Sequence, residues 1–394
     1  MTSVKGFKAA AVAAGIRKAG RLDVGVIFSE TPAVAAGVFT TNAVKAAPVL
    51  LDMERIKSGN GRAIVVNSGC ANACTGEVGM RDAVATAAKA AEVLGVSETE
   101  VYIASTGVIG QPLPMDRLSA GIEKAATALM ADGLDSVANA IMTTDTFCKT
   151  ATATCIIGGK EVAIYGMAKG AGMIHPNMAT MLSFIVTDAA ITAPMLDNAL
   201  KESVRKTFNR VTVDGDTSTN DTVLLLASGA AGNPPIAGPG SDFDTFSASL
   251  HQICLDLARL IAKDGEGATK LVEVRVTGAV DEADAEKAAF AVAHSPLVKT
   301  ALFAEDANWG RILCAVGYSG ARVEQEKMKL FFDTAQMVEK GMGLGPEAEA
   351  AVSIIMKQKE FTITVELGLG NASASVWTCD FSFDYVKINA EYRT

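Results

Sequence analysis

The sequence feature that most restricts the fold is a succession of short apolar runs, separated by glycine-rich turns and alanine-rich segments. Residues 62–67 (RAIVVN), 181–186 and 222–226 have the length and composition of buried strands. Residues 81–94 (RDAVATAAKAAEVL) have helical periodicity, and Gly95 follows where a glycine commonly ends a helix. Strands and helices mixed in this way predict an α/β or α+β fold.

The rest of the chain continues this mixture. We predict further strands at 101–104, 162–165 and 271–276, and helices at 247–262, 282–293, 309–316 and 347–357. Residues 106–110 are expected to break the strand at 101–104, and residues 233–241 (NPPIAGPGS) form the most loop-like stretch. Two β-like runs at 361–366 and 373–383, joined by LGLGNA, predict a hairpin. A length of 394 residues favours two domains, and we place them at 1–270 and 271–394.

Composition limits the classes of partner. A net charge of −9 argues against nucleic acid and against anionic membranes, because both require a positive surface. The sequence has no apolar run of the roughly 18–20 residues that a membrane span needs. Lysines and arginines interrupt the N-terminal apolar residues, and seven cysteines is an odd count. We therefore expect a cytoplasmic protein whose partners are small molecules or other protein subunits.

The segment from Lys169 to Leu182, KGAGMIHPNMATML, carries the strongest chemical signal. A phosphate-binding loop is one interpretation, but that loop needs a helix directly after its glycines, and here a strand follows. A second interpretation is a strained turn beside a hydroxyl nucleophile, Thr180. A third is a glycine loop before an ordinary strand, and the pattern alone leaves it open.

Thr180 would become a competent nucleophile if the peptide bond before it were broken. A threonine hydroxyl needs a base within hydrogen-bonding reach. Cleavage after Ala179 would give Thr180 a free α-amine, whose pKa near ~8 leaves much of it neutral at cellular pH. That amine could take the proton of its own hydroxyl, so that one residue supplies both nucleophile and base.

Other chemical motifs are weak. Cys70 and Cys74 form a lone CxxxC without the second pair that a zinc site requires. Asp214, Asp216 and Asp221 lack the spacing of a calcium loop. His175 precedes a proline and fits a structural turn better than a catalytic role. No metal site is expected.

Several segments resemble the bacterial ornithine acetyltransferases, also called glutamate N-acetyltransferases, of arginine biosynthesis. The resemblance begins with KGAGMIHPNMATML and runs from end to end of the chain. The segments that carry it include STGVIG at 105–110, MTTDT at 142–146, DGDTSTND at 214–221, DGEG at 264–267 and DANWGRI at 306–312. The resemblance implies a layered α/β sandwich of the type shared with self-cleaving aminopeptidases. The larger domain would hold the cleavage site, and the tail of the smaller C-terminal domain would return to the active site.

The resemblance also implies roles for individual residues. The chain would cut itself between Ala179 and Thr180, and Thr180 would be the nucleophile. Thr106 and Gly107 would form the oxyanion hole. The substrate-binding positions implied by the family are Thr146, Lys169, Thr180, Glu266, Asn389 and Thr394. After MTTDT the family has an apolar residue followed by Pro-Lys, whereas this chain has Phe147-Cys148-Lys149 and so departs at Cys148.

The implied reaction moves acetyl from N2-acetylornithine to glutamate by a ping-pong mechanism through an acetyl-Thr180 ester. No cofactor or metal is required, and the two fragments would associate as a heterotetramer. Some members of the family also use acetyl-CoA, and no residue of this sequence decides the point. Two alternatives remain open: a self-cleaving aminopeptidase or amidohydrolase of the same fold, and a non-catalytic amino-acid-binding protein.

Overall fold

The computed structural model describes residues 3–17, 20–175 and 181–391. Ala179, Thr180 and Thr394 lie outside the described residues. The chain divides into two compact units, one made of Met1–Asn209 with Asp216–Leu257, the other of Arg210–Gly215 with Ala258–Thr394. We call them the first and second units and treat each separately. The domain boundary near residue 270 stays a prediction from the sequence.

The first unit is built on a mixed sheet of eight strands. The strands are β1 (Phe7–Val12), β2 (Val24–Phe39), β3 (Asn60–Cys70), β4 (Val101–Val108), β5 (Lys149–Ile157), β6 (Lys160–Lys169), β7 (Leu182–Thr187) and β9 (Thr222–Ala227), while β8 (Val211–Thr212) belongs to the second unit. Their order is β4-β3-β2-β9-β7-β6-β5, with β1 paired to β2. The β3–β4 and β7–β9 pairs are parallel, and the other pairs are antiparallel.

Among the residues that the structure describes, six α-helices begin in the first unit. They are α1 (Ala47–Arg55), α2 (Gly76–Leu94), α3 (Met115–Thr127), α4 (Leu134–Ala140), α5 (Ala193–Lys206) and α6 (Ser241–Lys263), the last of which continues into the second unit. The helix predicted at 81–94 is confirmed as part of α2, and it ends at Gly95, whose φ of 67° is left-handed. The buried face of α2 consists largely of alanines, which lets the helix backbone approach the sheet closely.

Strand β3 shows why the period-2 alternation of a strand determines its packing. Ala63 and Val65 belong to the apolar cluster formed with α2 and α3. Ile64 and Val66 point to the opposite face and join the cluster that contains α4 and the strands β6, β7 and β9. The sheet is therefore covered on both faces, which explains the continuous apolar run of residues 62–67.

The expected break at residues 106–110 is wrong for its first part, because β4 continues to Val108. Thr106 and Gly107 remain in parallel register with Ser68 and Gly69 of β3. The glycine that suggests a turn is needed for a different reason. A Cβ atom on Gly107 would lie 2.3 Å from the carbonyl carbon of Gly69, so only glycine lets the two backbones come this close.

The second unit has a seven-stranded sheet in the order β13-β12-β11-β14-β10-β15-β8. Its further strands are β10 (Leu271–Ala279), β11 (Lys329–Phe332), β12 (Ala335–Glu339), β13 (Met342–Gly343), β14 (Glu360–Glu366) and β15 (Ala372–Cys379). Its helices are α7 (Glu282–His294), α8 (Pro296–Phe303), α9 (Trp309–Tyr318), α10 (Pro346–Met356) and α11 (Phe383–Ala390). Apolar residues of α7, α9 and α10 pack on this sheet in one cluster. The mixed α/β class predicted from the sequence is confirmed.

The hairpin predicted over residues 361–383 is wrong. β10 lies between the two strands, parallel to β14 and antiparallel to β15. The connection passes the end of β10, where the carbonyl oxygen of Gly278 accepts hydrogen bonds from the N–H groups of Leu369 (2.7 Å) and Gly370 (2.9 Å). Glycines favour a tight turn and a close crossing of two chains equally well, which is why the local sequence misleads.

Across the described ranges, no helix combines the length and apolar character needed to cross a membrane.

The contact between β6 and α6 generates a prediction about stability. A methyl group on Gly166 would lie 2.7 Å from Ile253 Cγ2 and 2.9 Å from Leu257 Cδ1. We expect Gly166→Ala to lower the free energy of unfolding by about 1–3 kcal/mol through overpacking, measured by urea denaturation. Gly238→Ala is the control, because nothing lies within 4 Å of the added methyl. Equal effects of the two substitutions would contradict this packing.

Candidate active site

The two predicted oxyanion donors lie at the end of β4 in the first unit. Thr106 is 6% exposed and pairs with Ser68, while Gly107 has a φ of 135° and pairs with Gly69. A strand pair holds a hydroxyl and a backbone N–H more rigidly than a free loop would. Rigid donors can stabilise a developing oxyanion without reorganising when the charge appears.

A network of buried amides fixes the backbone around Thr106. Asn220 Nδ2 donates to the carbonyl oxygens of Ser105 (2.8 Å) and Ala71 (2.6 Å). Ser105 Oγ donates to Asn67 Oδ1 at 2.7 Å, and Asn67 Nδ2 donates to the Cys70 carbonyl at 3.0 Å. The Ser105 carbonyl belongs to the same peptide plane as the Thr106 N–H. Asn220 therefore orients the peptide that leads into Thr106.

Lys169 ends β6 and is directed at Thr106. Its side chain is buried, and Nζ donates to Thr106 Oγ1 at 3.4 Å. Because the Thr106 oxygen accepts this bond, its hydroxyl hydrogen can point to another acceptor. The structure thus brings together two residues that the sequence pattern places 63 positions apart.

Asp145 provides the negative charge in this region. Its Oδ1 lies 2.6 Å from Lys149 Nζ, and both side chains are fully buried. Oδ1 also accepts from Gly170 N at 2.7 Å, and Oδ2 accepts from Thr143 N at 2.9 Å. Burial acts to raise the pKa of Asp145, but the charges of Lys169 and Lys149 and the hydrogen bonds outweigh it and lower the pKa to about 2.

We call Asp145, Lys149 and Lys169 the buried charge cluster. Thr146, a predicted substrate-binding residue, follows Asp145 directly and is exposed. Asp145 holds the Gly170 backbone as well as Lys149, so it fixes the start of the glycine-rich segment. Lys149 lies in the segment that departs from the family pattern, and it nonetheless has a defined structural partner.

Glu266 and Asn389 meet in the second unit. Asn389 Nδ2 donates to Glu266 Oε2 at 2.9 Å and to the Tyr385 carbonyl at 3.0 Å. Glu266 is buried, and the neighbouring Gly267 is left-handed with a φ of 70°. A Cβ on Gly267 would lie 2.5 Å from Tyr385 N, so this loop and α11 require a glycine where they touch. Two of the predicted substrate-binding residues are therefore direct partners.

The segment with Ala179 and Thr180 is described only at its two ends. His175 precedes it, and burial lowers the pKa of that imidazole while the charge of Asp216 opposes the effect. Met181 follows it, and Met181 N donates to Asp221 Oδ1 at 3.0 Å. In addition, the antiparallel register of β6 and β7 pairs Lys169 with Leu182. The chain therefore leaves the sheet after Lys169 and re-enters it at Leu182, directly beside Lys169.

Sequence reasoning gave no role to Asp145, Asn220 or Asp221. All three lie in segments that carry the family resemblance, MTTDT and DGDTSTND. Most of their partners are backbone groups remote in the chain: Gly170 for Asp145, Ala71 and Ser105 for Asn220, and Met181 for Asp221. The signal in the sequence is a group of acidic and amide residues among Ser and Thr. Such a group suggests a metal-binding loop, and its spacing does not fit one. No metal-binding group of three or more His, Cys, Asp or Glu occurs among residues 3–17, 20–175 and 181–391.

Known proteins are similar to this sequence over its whole length. The sequence profile of the ArgJ family matches residues 8–394. The arginine biosynthesis bifunctional protein ArgJ of Geobacter sulfurreducens is 56% identical over 392 residues, which cover 100% of each chain.

The chain belongs to the ArgJ family.

Two crystal structures are also similar. The arginine biosynthesis bifunctional protein of Bacillus halodurans is 45% identical with a TM-score of 0.52, and the match covers 54% of this chain and 99% of that chain. Ornithine acetyltransferase from Mycobacterium tuberculosis, complexed with ornithine, is 40% identical with a TM-score of 0.39, covering 44% of this chain and 92% of that one. The protein is an acyltransferase of arginine biosynthesis, and the family predicted from its motifs is confirmed.

Asn220 offers a test of the amide network. Asn220→Asp keeps the shape of the side chain but removes the Nδ2 donors to Ser105 and Ala71. We expect kcat for acetyl transfer from acetylornithine to glutamate to fall about ten-fold or more, because small misplacements of catalytic groups are costly, while KM changes little.

The matched control is Asn233→Asp. Asn233 is similarly buried, and its Nδ2 donates to the carbonyls of Ala190 (3.1 Å) and Pro234 (2.8 Å), beyond the opposite end of β7. It should reduce stability comparably and leave kcat near the wild-type value. A kcat loss of the same size in both variants would show that Asn220 acts only through stability.

Proposed function

We propose that the chain cleaves itself between Ala179 and Thr180 and then transfers acetyl from N2-acetylornithine to glutamate through an acetyl-Thr180 ester. The observation that carries the proposal is the pairing of Lys169 with Leu182. Leu182, two residues after Thr180 in the chain, pairs with Lys169, and Lys169 contacts Thr106. The nucleophile and the oxyanion donors would then share one site.

In the first reaction the protein is its own substrate. The Thr180 hydroxyl attacks the Ala179 carbonyl carbon, the peptide C–N bond breaks, and the acyl group moves from nitrogen to oxygen. Water hydrolyses the resulting ester, which leaves a carboxylate on Ala179 and a free α-amine and hydroxyl on Thr180. Two chains, residues 1–179 and 180–394, would result, and we propose that they stay together as a heterotetramer.

The length of one relative supports cleavage. The match with the Bacillus halodurans structure covers 99% of that chain but 54% of this one, so that chain is about half as long. Residues 180–394 likewise make up slightly more than half of the 394 residues.

In the second reaction the mature enzyme transfers acetyl. The α-amine of Thr180 takes the hydroxyl proton as the oxygen attacks the acetyl carbonyl of acetylornithine. Thr106 Oγ–H and the Gly107 N–H hold the oxyanion, and ornithine leaves with the proton. The glutamate amine then attacks the carbonyl of the acetyl ester, the bond to the Thr180 oxygen breaks, and the proton lost by the amine returns to that oxygen through the Thr180 α-amine, which releases N-acetylglutamate. Each oxyanion donor of this kind lowers a barrier by roughly 3–4 kcal/mol.

The buried charge cluster supports this assignment. The cluster combines two lysines with one carboxylate whose lowered pKa keeps it ionised, so its formal charge is positive. That positive charge lies against Thr106, where the proposed intermediate is negative. Lys169 can also pair with the α-carboxylate that both substrates carry, and Thr146 lies next to the cluster.

The second unit would recognise the amino-acid portion of the substrates. Glu266 carries a negative charge that suits a substrate ammonium, and Asn389 fixes its orientation. Thr394 is the remaining proposed contact from the C-terminal tail. Since the relatives are named bifunctional, we include acetyl-CoA as a second acetyl donor in the proposal. We expect the enzyme to act in the cytoplasm without a metal or cofactor, and not to bind nucleic acid or membranes.

Intact-mass spectrometry of purified protein tests the maturation step. Wild-type protein is expected to give the masses of residues 1–179 and 180–394. Thr180→Ala should give one uncut chain without acetyl transfer, because both reactions lose their nucleophile. Efficient cleavage or transfer by Thr180→Ala would refute the proposal. Acetylornithine consumed without formation of N-acetylglutamate would instead favour the hydrolase alternative.

A further inference from the structure

Arg17 has no part in the mechanism above, although its side chain reaches the segment that leads into Thr146. Nη1 donates to the carbonyl oxygen of Met142, and Nη2 donates to that of Thr143 at 3.1 Å. Met142 lies 125 positions from Arg17 in the chain, so one guanidinium group holds two consecutive carbonyls of a remote segment. A planar group with donors in a fixed fork restrains both the position and the direction of the backbone that it binds.

The peptide unit between Met142 and Thr143 is held on both of its sides. Arg17 binds its carbonyl oxygen, and its N–H, that of Thr143, donates to Asp145 Oδ2 at 2.9 Å. Asp145 is the carboxylate of the buried charge cluster, and Thr146, the proposed substrate contact, follows it directly. Arg17 therefore restrains the backbone that leads into Asp145 and Thr146.

The stem of the same side chain lies against the strand pair that carries the proposed oxyanion donors. A Cβ atom on Gly69, whose φ is 108°, would lie 2.6 Å from Arg17 Cγ. Gly69 is in register with Gly107, and their backbones are so close that a Cβ on Gly107 would lie 2.3 Å from the Gly69 carbonyl carbon. Gly69 is thus in close contact with Arg17 as well as with Gly107, and a larger residue there would displace the arginine.

Asp23 fixes the backbone from which this side chain extends. Its fully buried carboxyl group accepts hydrogen bonds from three backbone N–H groups, those of Ala14 (2.6 Å), Ile16 (2.7 Å) and Arg17 (3.0 Å). The Asp23 carbonyl also accepts from Ser68 N of β3 at 2.9 Å, and Ser68 Oγ donates to the Ala140 carbonyl at 2.7 Å. One residue therefore holds both the turn that carries Arg17 and strand β3, so the arginine extends from a fixed point beside the site.

We propose that Arg17 is a positioning residue for acetyl transfer, which ties the segment 142–146 to the strand pair β3–β4 and so keeps Thr146 at a fixed distance from the oxyanion donors. This inference rests on the proposed function. The guanidinium acts through the backbone of the segment and through Thr146. It makes and breaks no covalent bond in the reaction.

Asp145 and Thr146 should respond differently to loss of the guanidinium. Asp145 keeps its hydrogen bonds from Lys149 and from the Gly170 N–H, so the charge of the cluster beside Thr106 should change little. Thr146 is exposed, so its position depends on the course of the backbone that precedes it. Binding of acetylornithine should therefore weaken more than the chemical step slows, which raises KM rather than lowering kcat.

The test is Arg17→Met, measured by the steady-state kinetics of acetyl transfer from acetylornithine to glutamate. Methionine keeps an unbranched stem over Gly69 and removes the donors to Met142 and Thr143. We expect KM for acetylornithine to rise about ten-fold and kcat to stay within about three-fold of the wild-type value. Loss of stability alone would lower the active fraction, and with it the apparent kcat, but would not raise KM. An unchanged KM would overturn the inference.

Arg55→Met is the matched control. Arg55 is partly buried, as Arg17 is, and it also holds two groups: Nη1 donates to the Val101 carbonyl at 2.9 Å and Nη2 to Glu98 Oε1 at 2.6 Å. Val101 begins β4, so these contacts lie at the opposite end of the strand from Thr106. Arg55→Met should lower stability and leave KM at the wild-type value. An equal rise of KM in both variants would also overturn the inference.

Hydrogen exchange of the wild-type enzyme covers the case in which Arg17→Met does not fold or cleave. Exchange is followed by mass spectrometry with and without saturating ornithine, the product that leaves the proposed site. Bound ornithine should slow exchange in peptides that cover 142–146 and also in those that cover 14–17, because Arg17 couples the two segments. Unchanged exchange at 14–17 would overturn the inference. The proposed function fails by a different result, a wild-type enzyme that forms no N-acetylglutamate from acetylornithine and glutamate.

Discussion

The antiparallel register of β6 and β7 is the constraint on which the candidate site depends. Because Lys169 pairs with Leu182, the chain leaves the sheet after Lys169 and re-enters it beside the same residue. The backbone on either side of the segment between these two strands is held by separate carboxyl groups, at Gly170 by Asp145 and at Met181 by Asp221. A self-cleaving bond needs such fixed ends, because a mobile segment would not keep a hydroxyl against the preceding carbonyl.

The candidate site also contains the buried charge cluster. Removing Asp145, Lys149 and Lys169 from water is unfavourable unless they compensate one another, and breaking such a group typically destabilises a protein strongly. One carboxylate shared between two lysines leaves a positive excess, which Lys169 directs at Thr106. In the proposed mechanism this positive charge is in place before the oxyanion forms.

The sequence predicts the elements better than it predicts their connections. The helix at 81–94 follows from its periodicity, because burial on one face leaves a repeating pattern. The strand at 62–67 follows from its continuous apolar run, because both of its faces are buried. The supposed hairpin at 361–383 is wrong because β10, remote in sequence, inserts between its strands. The strand break at Thr106 is partly wrong because Gly107 serves a close approach to Gly69, which no local pattern reveals.

The same distinction holds for the site. The family resemblance singles out Thr106, Lys169, Glu266 and Asn389, and the structure makes direct partners of the first two and of the last two. The supporting residues Asn220 and Asp221 are not predicted, because the backbone groups that they hold are far from them in the chain. A pattern shows which residue types occur together, whereas a hydrogen-bond network depends on how the chain folds back on itself.

An ester on Thr180, if acetyl passes through it, should accumulate when no glutamate is present to accept the acetyl group. Purified enzyme is mixed with acetylornithine in the absence of glutamate, quenched in acid within milliseconds, and analysed by intact-mass and fragment spectrometry. We expect the chain beginning at Thr180 to gain the mass of one acetyl group, located on Thr180, and added glutamate to remove it as N-acetylglutamate. Full transfer activity with no acetyl group ever found on that chain would contradict the ester intermediate.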